Sequence, residues 1–290
     1  MKTFKFYSLL IVLVSISFFS CDVIEEPFMV VQEEVSDSCD AFIFSSVENY
    51  TKKVLLEDYT GQTCGNCPRA AERAHELQTQ FGEQLVVIAV HAGWFSNTSD
   101  EYPNDFTTEV GDAWDTYFGN SSLGNPNGMV DRIDFPDSHV FQYSQWEEKV
   151  TNQLLESPEM GIQLMASYNS TSKLICVDAQ TEILMNLEKS LNITLVLIES
   201  GIISKQTDYS IFPEQYVEDY EQNHVLRKGL TNPWGESLGQ ESYTQNELFT
   251  QRYSIEKQVD WDINNMAVIA FVSDPETYEV LQVEELHLTE

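Results

Sequence analysis

The stretch from Val54 through Asp58, Gly61, Cys64 and Cys67 to Pro68 constrains this chain more than any other. An apolar run, Val54 to Leu56, leads into a turn-prone Thr60-Gly61, and two cysteines then stand three positions apart. Ala70, Ala74, Leu77 and Phe81 follow at spacings of four, three and four, which marks one face of an α-helix. Gly82 stands where a glycine commonly ends a helix. Leu85 to Val90 is continuously apolar, as suits a strand buried on both faces. The expectation is strand, CxxC turn, helix, strand, with the cysteines at the helix N-terminus. A thiolate there meets unpaired backbone N–H groups and the positive end of the helix dipole, so its pKa falls. On this reading Cys64 is the accessible, attacking sulfur and Cys67, one turn further in, resolves it.

That order of elements is the context in which CxxC reads as a thioredoxin-like redox motif. The segment Asp58-Tyr59-Thr60-Gly61-Gln62-Thr63-Cys64-Gly65-Asn66-Cys67 resembles the corresponding thioredoxin stretch. It departs from it at Thr63 and Asn66, where thioredoxins carry Trp and Pro. The resemblance implies that Asp58, six residues before Cys64, helps move the proton of the second cysteine. It also implies a cis-proline just before a strand that faces the CxxC. Pro126, 59 residues after Cys67 and ahead of a run from Met129 to Ile133, fits that place and would shape the docking surface. A trans turn proline is the other reading, because Asn125-Pro126-Asn127-Gly128 is itself a strong turn signal.

The chain begins as an exported protein does. Residues 1–20 carry Lys2 and Lys5, then an apolar core from Leu9, then Ser20 directly before Cys21. This is a secretory signal peptide, and the cysteine after the small residue suggests a lipidated N-terminus at Cys21. An ordinary signal peptide with a chance cysteine is the alternative, since Phe18 and Phe19 make an imperfect lipobox. The acidic Asp22 to Pro27 reads as the start of a tether over 21–50. The formal net charge is −32, with 15 Lys+Arg against 47 Asp+Glu. Such a field repels phosphate backbones, which excludes nucleic acid as a partner. Hydrophobic residues at 42% nevertheless supply enough apolar surface for real cores.

Five cysteines in an exported chain favour disulfides. With Cys21 lipidated, Cys39, Cys64, Cys67 and Cys176 remain, and the short loop favours Cys64 with Cys67. Cys39 and Cys176 are then bonded or free, and they can bond only if the N-terminal segment packs on the second half. Cys176 lies in an apolar strand, where a buried core residue is the simplest reading.

Two domains are expected, meeting near Ser157-Pro158: a thioredoxin-like α/β domain over 51–157 and an all-β antiparallel sandwich over 158–290. The first holds a loop at His91 to Asp100, a helix within Phe106 to Phe118, and a closing helix within His139 to Leu155. A short strand is possible at Ala41 to Phe44. The second holds seven β-type runs: Gly161–Tyr168, Lys173–Ala179, Leu191–Ile198, His224–Arg227, Leu248–Ile255, Met266–Val272 and Glu279–Val283. Ser200 to Glu221, rich in Tyr, Pro and acids, reads as the longest connection.

Three segments extend the resemblance to the whole mature chain: Leu56 to Pro68, Pro126 to Arg132, and Asn223 to Arg227. On them the chain is similar to the outer-membrane lipoproteins related to the twenty-eight-kilodalton Omp of Bacteroidota. The resemblance implies an exported, surface-associated protein with a thioredoxin-like domain followed by a β-sandwich, and it implies little chemistry. Two functions follow as expectations. One is thiol–disulfide exchange with a thiol or disulfide of another envelope protein; the other is a surface binding or adhesion module whose CxxC is a structural disulfide. Membrane association would run through the lipid at Cys21.

No cofactor or metal is expected. A zinc site at Cys64 and Cys67 would need two more ligands, and no second CxxC or HxxxH exists. Asp260-Trp261-Asp262-Ile263-Asn264 has the start of a calcium loop, but Asn265 and Phe271 stand where Gly and Glu are required. His91 and Trp94 are placed to line a surface near the CxxC, although a strand-end histidine commonly has no such role.

Overall fold

The computed structural model describes residues 39–289. The expected signal peptide, the expected lipidation at Cys21 and the expected tether up to residue 38 lie outside these described residues. Strand β1 (Val54–Thr60) runs through the CxxC turn into helix α1 (Cys67–Phe81), and β2 (Leu85–His91) returns parallel to β1. Ala70, Ala74 and Leu77 are the buried stripe of α1, Pro68 sits in its first turn, and Gly82 ends it at a φ of 60°. Proline suits that first turn because its missing N–H has no helical partner there. Helix α2 (Glu109–Phe118) starts on Thr108, whose side chain accepts from the Gly111 N–H, and ends on left-handed Gly119. Then come β3 (Asn127–Val130), antiparallel to β1, and the short helix α3 (Trp146–Gln153).

From residue 160 onward the described residues hold strands, turns and one short 3-10 turn. The strands are β4 (Met160–Asn169), β5 (Leu174–Ile183), β6 (Asn192–Glu199), β7 (Ile202–Thr207) and β8 (Tyr216–Gln222). They continue with β9 (Val225–Gly229), β10 (Glu236–Ser237), β11 (Leu248–Glu256), β12 (Met266–Ser273) and β13 (Val280–His287). All seven anticipated runs are strands. Ala41 to Phe44 is not one; instead the Phe42 N–H donates to the carboxylate of Asp178 on β5, and Cys39 is bonded to Cys176 there.

One sheet runs in the order β13-β12-β6-β9-β2-β1-β3, with β10 on β6. It crosses the expected junction at Ser157-Pro158, so 51–157 and 158–290 are not separate hydrogen-bonded units. The cause is visible in β2. Every residue of it is buried, and β1 covers only one of its edges. Strand β9 takes the other edge, in parallel, with Ala89 paired to Val225 and the Ala89 N–H donating to the His224 carbonyl. A buried strand left with an open edge would leave backbone groups without partners.

The layers on this sheet follow the strand alternation. Leu55, Tyr59, Val86, Ile88 and Val90 pack on α2 and share one core with Val196, Ile198, Ile269 and Phe271. The opposite face is divided. Val54, Leu56, Leu85 and Val87 pack beneath α1 and α3, whereas Ile193, Leu195, Val268 and Ala270 pack against the three-stranded sheet β11-β5-β4. The architecture is therefore mostly β, with the face-to-face packing expected of the second half joined edge-on to a helix-covered first half.

The stretch read as a long connection is a hairpin. Strands β7 and β8 pair antiparallel from Ile202↔Gln222 to Thr207↔Tyr216 and form a ladder with no other strand. The inward positions Ser204, Gln206 and Gln222 are buried and polar. No apolar alternation therefore marks it in the sequence. This hairpin decides what can reach the cysteines.

Candidate functional site

Cys64 and Cys67 form a disulfide with Cα atoms 5.4 Å apart. The turn that carries them is closed by the Cys64 N–H on the Gly61 carbonyl, at 3.0 Å. The first turn of α1 holds no acid of its own. Cys64 was expected to be accessible, and here the structure differs: Cys64 is 2% exposed and Cys67 1%.

The β7–β8 hairpin is the reason. Gln206 Nε2 donates to the carbonyls of Gly61 and Cys64, at 3.2 and 3.1 Å. The Thr207 N–H donates to the Gln62 carbonyl and the Tyr209 N–H to the Gly65 carbonyl, at 2.8 and 2.9 Å. The Tyr209 ring lies directly over Gly65; a Cβ at that position would stand 2.5 Å from the ring. On the other side the Phe95 carbonyl accepts from both the N–H and the hydroxyl of Thr63. Trp94, a candidate for a substrate surface, points outward and is 79% exposed.

Asp58 lies on the α1-facing side of β1, in step with Leu56, and is 3% exposed. Its Oδ1 has no hydrogen-bond partner, and burial pushes its carboxyl up to about 7. His91, at the end of β2, faces the same side. Both of its ring nitrogens are buried without a partner, its ring meets Phe106 at 5.0 Å, and burial, with the charge of Arg227, pulls its pKa down to about 3. His224 precedes β9, with Nδ1 unpartnered, and burial lowers it to about 4. Burial, then the charge of nearby Asp58, lifts the Tyr220 hydroxyl to about 12.

These side chains line one groove of about 640 Å³. Its floor is the carboxyl ends of β1 and β2, one wall is α1 from Cys67 to Gln78, and the other is the hairpin with Gln206, Tyr220 and Gln222. The structure thus brings Asp58, Cys67 and His91 to one cavity. Pro126 is buried outside it. The Asn125–Pro126 peptide is cis, and since Asn127 pairs with Tyr59, Pro126 stands beside the Thr60 end of β1. Gln206, Tyr209, Tyr220 and Gln222 went unnoticed in the sequence, because glutamines and tyrosines in an acid-rich stretch form no motif. His224 was read as the start of a sandwich strand, and nothing in its neighbours signals a cavity. The calcium-like segment is a turn, with Asp262 accepting from the Asn264 N–H and Asp260 paired to Arg227.

The chain is similar to HBP35 of Porphyromonas gingivalis, with a TM-score of 0.64 at 19% identity over 83% of this chain and 76% of that one. At that identity the likeness speaks to the fold. A weaker likeness, TM-score 0.49 at 10% identity, covers 83% of this chain and 97% of a structural-genomics protein from Agrobacterium tumefaciens. A domain of the outer membrane lipoprotein Omp28 from P. gingivalis aligns over 46% of this chain and 89% of its own, at 21% identity and a TM-score of 0.30. No curated protein matches the chain. Among the described residues no helix is long and apolar enough to cross a membrane. Residues 111–290, more than half of the chain, match the family described as outer membrane protein Omp28, and to that family the chain belongs.

Proposed function

We propose that this outer-membrane family member carries out thiol–disulfide exchange at Cys64 and Cys67, from a lipid anchor at Cys21. The observation that carries the reading is Asp58. A buried carboxyl with an unpartnered oxygen, pushed up to about 7, stands on the strand that delivers the disulfide and lines the same cavity as Cys67. A group poised near neutrality is what proton transfer to and from a thiol requires. In the reduced protein Cys64 attacks, Cys67 resolves, Asp58 carries the proton, and Pro126 shapes the surface where another envelope protein's thiol or disulfide docks. The strand–CxxC–helix order supports the finer fold reading, a thioredoxin-like unit continued by a sandwich. One acyl chain holds a membrane only marginally, so the anchor at Cys21 requires the multiple acylation of bacterial lipoproteins.

A specific observation favours a second reading, in which the disulfide is structural and the protein a surface binding module: both cysteines are buried. A redox titration of the Cys64/Cys67 pair in the mature protein separates the two. A potential above about −300 mV, with Cys67→Ala trapping mixed disulfides through Cys64, supports exchange. A lower potential and no trapped partner leave the binding module.

A further inference from the structure

The β7–β8 hairpin lies on the CxxC turn as a bound peptide lies on its receptor. Along Gln206-Thr207-Asp208-Tyr209 the backbone N–H groups alternate in direction. Those of Thr207 and Tyr209 donate to the carbonyls of Gln62 and Gly65, whereas that of Asp208 turns back to the Gln215 carbonyl, at 2.8 Å. One edge of an extended chain is thus held by its own hairpin and the other by the turn. Main-chain bonds of this kind hold an added strand in many peptide complexes, and seats for side chains give the selectivity. Gln206 extends the set through its side chain. Gln222 Nε2 donates to Gln206 Oε1, at 3.0 Å, which leaves the Gln206 amide nitrogen facing the carbonyls of Gly61 and Cys64.

This contact is suited to exchange. The inward side chains Ser204, Gln206 and Gln222 are buried yet polar, and among the described residues the hairpin makes a ladder with no other strand. An apolar interface loses its burial energy when it opens. Hydrogen bonds instead pass to a new donor at little net cost, whereas buried carbonyls left without one are expensive. Gly61, Gln62, Cys64 and Gly65 are all buried, so whatever displaces the hairpin must bring donors to the same places. A small thiol has no such row of donors; an extended chain does. The register is equally specific. Asp208 stands between the two backbone donors as Cys64 stands between the two acceptors, and the Tyr209 ring fills the space that a side chain at Gly65 would need.

We propose that residues 206–209 are an internal surrogate, seated where an extended, cysteine-bearing segment of another protein docks by displacing the hairpin. The proposal rests on the exchange reading above and names its partner. That chain carries its cysteine in the place of Asp208, no proline on either side of it, and a ring directly after it, over Gly65. Once docked, the Cys64 thiolate bonds to one sulfur of the partner's disulfide, and the other sulfur leaves as a thiolate that takes a proton from water. Cys67 gives its proton to Asp58, bonds to Cys64 and releases the first partner sulfur, which takes the proton that Asp58 holds. Two electrons pass from the protein's pair to the partner.

The test uses the mature chain and an end-capped peptide containing Gln-Thr-Cys-Tyr, as its disulfide dimer. A second dimer has esters in place of the Thr and Tyr amides, so that only the two donors are lost. With Cys64 and Cys67 reduced beforehand, a single turnover with the amide dimer is expected to be faster by roughly tenfold or more. The serine form of the amide peptide, added to the oxidised protein, reads docking without chemistry. Hydrogen exchange at the Thr207 and Tyr209 amides, followed by NMR, should accelerate as that peptide is titrated in. Equal turnover rates for the amide and ester dimers, or hairpin amides that stay as protected with the peptide as without it, overturn the surrogate seat and leave exchange standing. A reduced pair that attacks neither dimer overturns the exchange reading and this inference together.

Discussion

Arg132 and Glu57 form a two-point ion pair in the middle of the protein, with Nε and Nη2 of the arginine 2.9 and 2.8 Å from the two carboxylate oxygens. The guanidinium is walled by the rings of Trp114, Phe118 and Phe271, at 4.7, 4.9 and 5.0 Å. Glu57 comes from β1, Trp114 from α2 and Phe271 from β12, so one charge pair locks elements on both sides of residue 158. The sheet continuity seen in the backbone is thus repeated in the side chains.

Removing one partner leaves the other charge buried and alone, which costs about 3–5 kcal/mol. Arg132→Met and Glu57→Leu, each by itself, are expected to lower unfolding stability by that amount. The double variant recovers most of the loss, because a well-packed apolar pair of similar volume is often neutral or better. Urea unfolding of the four proteins checks this; losses that simply add would show that the pair is not coupled.

The Cys39–Cys176 disulfide closes a loop with a sequence separation of 137 residues. Chain entropy alone assigns such a closure about 5 kcal/mol, and typical measured values run about 2–4. Cys39→Ala with Cys176→Ala is expected to lose a few kcal/mol while retaining the Cys64–Cys67 bond. Thermal unfolding with a thiol count on the variant checks both halves of the statement.

What could be read from the sequence follows the kind of surface each element buries. Strand β1, helix α1 and strand β2 were legible because Val54–Leu56, Ala70/Ala74/Leu77 and Leu85–Val90 bury apolar faces at the proper periods. The β7–β8 hairpin was not, because its inward face is Ser204, Gln206 and Gln222, and hydrophobic periodicity is silent about a polar interface. The junction at Ser157-Pro158 was well placed as a change in composition. It failed as a boundary because the free edge of β2 needs a strand from the other half. Arg132 was noticed only as part of a motif, since nothing in its neighbours says that an arginine will be buried among three rings. The cysteine pairing across the loop was open for the same reason: sequence gives no distance between Cys39 and Cys176.

Acid sensitivity should trace to the two neutral histidines. The folded pKa values of His91 and His224, about 3 and about 4, lie below the ordinary value of 6.5, so the unfolded chain binds protons that the native state refuses. Their contribution is fully present above about pH 6.5 and is lost as the pH falls through that value toward 3–4. Asp58, raised to about 7, has the opposite sign: between about pH 4 and 7 the native state holds a proton that the unfolded chain gives up. The three groups together leave a net uptake of one proton on unfolding in that window. Stability should therefore fall with acidification by about 1.4 kcal/mol per pH unit from these groups. In Asp58→Asn the slope steepens by about 1.4 kcal/mol per pH unit, and in His91→Gln it becomes shallower by about the same amount. Urea midpoints from pH 4.5 to 6.5 read these slopes, and parallel curves for all three proteins would sink the assignment.

The last expectation concerns the cover over Cys64. The hairpin has no ladder to either larger sheet, so its hold on the CxxC turn rests on a few contacts. Gln206 supplies two hydrogen bonds to turn carbonyls, each with a net worth of about 1 kcal/mol. Gln206→Ala therefore shifts the balance between covered and uncovered turn by about 2 kcal/mol, roughly thirtyfold in the uncovered population. Tyr209→Ala removes the ring above Gly65 and acts in the same direction. With the pair reduced, alkylation of Cys64 by iodoacetamide should accelerate by roughly that factor in Gln206→Ala while global stability changes little. The reagent must be one that only an uncovered Cys64 can meet, and comparison with Cys67, reached through the groove, supplies the control. Faster labelling of Cys64 alone identifies the hairpin as its cover. Equal rates in wild type and both variants would mean that Cys64 is reached by a path the hairpin does not block.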